Sequence, residues 1–119
     1  MKISEPRRRI LKRLWIAAIL AVVIGSLLPS SSGPIQALDL LQINDKVIHF
    51  SAYLVLAILP MASFDSRPKA VWAALLMIAL GVALEGGQHF SPGRQMDLGD
   101  AVANTLGVFS GMAAGLALR

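Results

Sequence analysis

Ten polar side chains in an otherwise apolar chain are spaced so that they could act together: Asp45, Lys46, His49, Tyr53, Glu85, Gln88, Arg94, Asp97, Asp100 and Asn104. Asp45, His49 and Tyr53 recur every four residues with Lys46 beside them, which on a helix places them on one face. Gln88 and His89 fall three and four residues after Glu85 and lead into Ser91-Pro92-Gly93-Arg94. Asp97, Asp100 and Asn104 repeat the same intervals of three and four. Arg94 offers a planar fork for phosphate or carboxylate, and Lys46 a second cation. Asp45, Glu85, Asp97 and Asp100 outnumber these two cations, which favours a wet polar pocket over a closed ion-pair core.

Each group also has a plainer account. Asp45 and Asp97 suit helix N-termini, where an anion gains roughly 0.3–1 kcal/mol. His49 and Tyr53 suit hydrogen bonds between helices, whereas Asn104, a turn beyond Asp100, must find a partner inside a bundle. A hydrolase or transferase would use His49 or Glu85 as general base and Arg94 as an electrophilic clamp. The chain has no cysteine, no Gly-x-Ser-x-Gly elbow and no His-Glu-x-x-His pair, which removes thiol chemistry and the two commonest hydrolase signatures. His49 and His89 are forty residues apart, so spacing gives no ligand signal, and neither a metal nor a cofactor is expected.

The elements that must position these residues are membrane helices. Of 119 residues, 55% are hydrophobic and 15% charged, with a mean hydropathy of +0.65, which is not the composition of a small water-soluble domain. Uncharged or nearly uncharged runs cover residues 14–28, 47–64, 70–86 and 98–118. Crossing a hydrocarbon layer of roughly 30 Å takes about 20 helical residues, fewer when flanking charges snorkel. Apolar and polar residues do not alternate, and Ala, Leu and Gly dominate the runs, so no strand series is expected. The expectation is a single all-α domain over 1–119: a four-helix transmembrane bundle behind a basic tail, 1–13. The segment 30–41 is expected to lie at the interface, with Ile35, Leu38, Leu40 and Leu41 touching the headgroups.

Orientation follows from the cations. Lys2, Arg7, Arg8, Arg9, Lys12 and Arg13 precede the first run, Arg67 and Lys69 sit in the second link, and Arg119 ends the chain; the other side keeps Lys46 and Arg94. The excess places both termini in the cytoplasm, N-in and C-in, and the polar groups at the outer boundary. The pI of about 10.1 therefore reflects membrane-flanking charge and not a nucleic-acid partner. A basic stretch before an apolar run also suits an export signal. Because everything downstream is equally apolar, a retained first helix is the expectation. Gly107, Gly111 and Gly115 form a small-residue stripe that lets another helix approach closely, by default within the bundle.

Taken in order, Asp45-Lys46-x-x-His49-x-x-x-Tyr53, Glu85-x-x-Gln88, Pro92-x-Arg94 and Asp97-x-x-Asp100-x-x-x-Asn104-x-x-Gly107 resembles the VanZ-like family of small bacterial membrane proteins. The resemblance spans about residues 44 to 115. It implies a helical domain of the bacterial inner membrane linked to the cell envelope, whose namesake contributes to teicoplanin resistance, and it supplies no agreed reaction. The same ten residues match the family's polar pattern. The implied activity is binding or modification of an anionic envelope lipid or glycopeptide-like ligand. The alternatives are a non-enzymatic accessory subunit of a larger membrane complex and a membrane hydrolase or transferase. Expected partners are membrane lipids, an anionic envelope precursor or other membrane subunits.

Overall fold

The structure is a computed structural model that describes residues 3–29, 31–40, 44–88 and 98–119, without the side chains of Leu38, Asp39 and Gln88. Among these residues the chain is helical throughout, with no strand: α1 Glu5–Leu27, α2 Gly33–Leu40, α3 Asp45–Ser63, α4 Arg67–Gln88 and α5 Leu98–Leu118. All but α2 are long and apolar enough to cross a membrane. At about 1.5 Å per residue, helices of 19 to 23 residues span roughly 28–35 Å.

α1 and the link after it differ most from the sequence expectation, while α3 and α4 start two and three residues early. α1 begins at Glu5 and takes in most of what reads as a basic tail. Charge interrupts an apolar run without interrupting backbone hydrogen bonding, and Arg and Lys are good helix formers. Pro6 sits in the first turn, where its missing N–H costs nothing, and Arg8 N donates to Ser4 O at 2.9 Å. The link after α1 carries the eight-residue α2, which opens at Gly33-Pro34.

The N-cap of α3 is Asn44, not Asp45: its side chain accepts from Lys46 N at 2.8 Å. Asp45 is thereby left for other contacts. Inside α3, Pro60 has no N–H to give to the carbonyl of Leu56. The indole of Trp15 on α1 donates to that Leu56 oxygen at 3.0 Å. A backbone group that would be orphaned at membrane depth is thus satisfied from a neighbouring helix. At the end of α3, Arg119 donates through Nη1 to Met61 O at 2.6 Å and Phe64 O at 2.9 Å, and through Nη2 to Asp65 O at 3.1 Å. These bonds satisfy terminal carbonyls and fix the end of α5 beside the end of α3.

α3 and α5 make the closest packing, along the glycine stripe. A Cβ on Gly107 would run into Phe50 O and Leu54 N; one on Gly111 would lie 2.5 Å from Leu54 O and 2.8 Å from Ala57 Cβ; one on Gly115 would meet the Met61 side chain. The stripe is occupied within the monomer. The core gathers Tyr53, Leu56, Ala57 and Met61 of α3, Ala70, Ala74 and Met77 of α4, and Val108 of α5. Outside it, Ile16, Leu20 and Ile24 of α1, Trp72, Leu76 and Val82 of α4, and Leu106 and Phe109 of α5 form an exposed apolar girdle. α1 buries no residue and packs on the outside of the bundle.

The helices run so that opposite chemistry collects at opposite ends. Lys12 Nζ lies 4.9 Å above the ring of Phe64, and Trp15 meets the same ring edge-on with centroids 5.6 Å apart. The basic start of α1 therefore stands with the ends of α3 and α5 and the start of α4. The starts of α3 and α5 lie at the far end of a bundle 44 Å long.

Candidate functional site

At that far end, α3 and α5 face each other with Asp45, Lys46 and His49 on one and Asp100 and Asn104 on the other. Lys46 Nζ pairs with Asp100 Oδ1 at 2.5 Å. His49 Nδ1 lies 2.9 Å from Asn104 Oδ1, while its Nε2 stands 3.6 Å from Asp45 Oδ2 and 3.6 Å from Asp100 Oδ2. The pairing joins residues more than fifty positions apart, and periodicity within each helix brings the members of each set to the shared face.

Deeper in the same cleft, α4 supplies a third wall. A Cβ on Gly81 would come within 3.1 Å of the Tyr53 ring and 3.4 Å of Asn104 Nδ2, so these two side chains fill the space a larger residue would take. Glu85, one turn further along α4, is buried on the same helix face as Gly81. The cluster is graded in depth. The Asp45 and Lys46 side chains are 66% and 44% exposed, those of His49 and Asp100 are 15% and 9% exposed, and Asn104 and Tyr53 close the floor at 3% and 2%. A purely structural ion-pair core has no need of such a mouth.

Of the residues singled out by type and spacing, Asp45, Lys46, His49, Tyr53, Asp100 and Asn104 are brought into this cleft, with Glu85 beside them. Arg94 and Asp97 lie outside the described residues, as does the side chain of Gln88. Gly81 was not singled out. Its signal was its place four residues before Glu85, hence on the same helix face, where absence of a side chain makes room. Thr105 donates its hydroxyl to Ala101 O at 2.9 Å within its own helix and takes no part.

Asp45, His49 and Asp100 each place one ligand atom within 4.8 Å of the others. The cleft thus combines a lysine cation, an imidazole anchored at one nitrogen, and two carboxylates. It can bind a charged headgroup, hold a cation or move a proton. No protein-family model, curated protein or solved structure matches this chain. Among the described residues, fold and site together define a helical protein with four helices suited to crossing a membrane and a polar cluster of graded exposure at one end.

Proposed function

We propose that this chain is a VanZ-like protein of the bacterial inner membrane, with both termini cytoplasmic, whose cleft faces outward and binds an anionic amphiphilic envelope ligand. The ligand class is a lipid-linked cell-wall intermediate or a glycopeptide-like molecule, with phosphate or carboxylate as the recognised group. One observation carries the reading: the polar cluster, exposed at Asp45 and Lys46 and buried at Asn104 and Tyr53, stands at the end of the bundle opposite the basic residues. In the inner membrane the basic end is retained in the cytoplasm, which puts the cleft at the outer leaflet. Ligand tails would lie along the apolar girdle while Lys46 and Arg94 engage the headgroup. Asp100 positions Lys46, and Asn104 holds His49.

The packing of Gly107, Gly111 and Gly115 against α3 removes one surface that an accessory subunit would offer to partners. Two measurements test the reading. A reporter active only in the cytoplasm should signal when fused at Arg119 and stay silent when inserted near Ser91. Native mass measurement of the protein extracted from membranes should find the single chain carrying a phosphorylated polyprenyl lipid. A reversed reporter pattern, or a stable heteromeric complex without bound lipid, would reject it in favour of an inward cleft or an accessory role.

A further inference from the structure

The wiring of His49 points beyond a simple headgroup cradle. In the amide orientation assigned to Asn104, its Oδ1 accepts from His49 Nδ1–H, and a neutral imidazole in that tautomer turns the Nε2 lone pair toward the cleft. That lone pair faces two carboxylate oxygens, Asp45 Oδ2 and Asp100 Oδ2, each at 3.6 Å. Three electron-rich atoms converge on one point, a repulsive arrangement unless something positive stands between them. Lys46 pairs with the other oxygen of Asp100, Oδ1, and one ammonium offsets only one of the two carboxylates.

We propose that Asp45, His49 and Asp100 hold one divalent transition-metal ion in this gap. Ligands bonded at about 2.1 Å and subtending a tetrahedral angle lie about 3.4 Å apart, close to the two 3.6 Å separations. Asp45 closes the third side from the start of α3, where its side chain is 66% exposed. One nitrogen and two carboxylate oxygens suit Zn²⁺, Mn²⁺ or Fe²⁺, with coordination positions left open toward the mouth. Asn104 is the outer partner that fixes the imidazole tautomer, the arrangement expected behind a metal-bound histidine. Spacing along the chain gave no such signal because the ligands come from two helices, with Asp100 more than fifty residues beyond Asp45 and His49.

The inference deepens the ligand reading of the same cleft and rests on it for one consequence only. The carboxylates beside Lys46 weaken its hold on a phosphate, whereas a bound dication reverses the local charge and offers the phosphate an open coordination site. Cation binding itself stands on the side chains alone.

The test uses the full chain in detergent micelles, dialysed against chelator and titrated with Zn²⁺ by calorimetry, with Co²⁺ as a spectroscopic probe. The result expected is one ion per chain, with visible Co²⁺ bands of a low-coordinate nitrogen and oxygen site. Asp45→Asn, His49→Ala and Asp100→Asn should each abolish the stoichiometric binding, and Asn104→Ala should weaken it about 10–100-fold. Thr105→Ala should leave it intact. Should His49→Ala or Asp100→Asn fail to fold, Asp45→Asn decides, since its side chain is exposed. A parent chain that binds no ion overturns the proposal and leaves a proton on Nε2 as the bridge. Binding that survives in Asp45→Asn and His49→Ala overturns it as well. Because the titration contains no lipid, its failure leaves the ligand reading standing. Metal-loaded protein that ignores a phosphorylated lipid would count against that reading alone.

Discussion

Replacing Gly111 by Ala adds one methyl group in the middle of the α3–α5 seam. The new Cβ would stand 2.5 Å from Leu54 O, 2.8 Å from Ala57 Cβ and 3.2 Å from Ile58 N. Ordinary separations are about 3.3–3.6 Å for carbon to oxygen and about 3.5–4.0 Å between carbons. The helices must therefore part by the better part of an ångström. Two of the three obstructing atoms are backbone, so no rotamer change relieves the clash. Overpacking of this kind costs roughly 1–3 kcal/mol. The expected outcome is a lowered melting temperature in detergent with the mass of the particle unchanged. Gly25→Ala is the control, because nothing lies within 4 Å of the Cβ it would add. Equal melting of the two variants would refute the argument from close approach. A Gly111→Ala protein that keeps its stability but loses a dimer would show that the stripe serves contacts between chains.

Trp15→Phe should destabilise the bundle by about 0.6 kcal/mol, and at most about 1.7, by removing the donor to Leu56 O. In a Pro60→Ala background the restored backbone N–H takes over that oxygen, so the same substitution should then cost less; thermal melts of the four proteins close the cycle. Arg119→Ala should free the carbonyls of Met61, Phe64 and Asp65 and increase amide hydrogen exchange at the end of α3, leaving exchange around His49 unchanged. Asn104→Leu removes the partner of His49 at a folding cost near the 0.6 kcal/mol average for interhelical hydrogen bonds, so the protein should fold while ligand binding falls. Unchanged binding in a folded Asn104→Leu protein would make the cleft structural.

What the sequence reveals here depends on the range of each interaction. The four membrane helices are legible because crossing a bilayer imposes a long apolar run, a purely local signal. The early start of α1 is hidden by the same criterion, since hydropathy stops at Arg13 and helical hydrogen bonding does not. Asn44 and Asp45 are adjacent candidates for one cap, and only backbone geometry decides between them; Asn44 has the extended ψ of 131°. The union of Trp15 with the carbonyl freed by Pro60 spans 41 residues and leaves no local trace. In the cleft, intervals of three and four assign Asp45, His49 and Tyr53 to one face and Asp100 and Asn104 to another. That these two faces meet, and that Gly81 makes room behind them, are tertiary facts that spacing within one helix does not carry.

The proposed function has an anionic headgroup as ligand, and the residue type of Arg94 is expected to supply a two-pronged grip, so Arg94→Lys is the decisive substitution. The substitution keeps the charge and removes the planar fork. Parent and variant, reconstituted in nanodiscs, should be titrated with a pyrophosphate-bearing polyprenyl lipid and with a zwitterionic phospholipid as reference. The parent should bind the pyrophosphate lipid saturably, and an Arg94→Lys protein that melts like the parent should not. Equal affinity of the parent for both lipids, or undiminished binding by the variant, would contradict it.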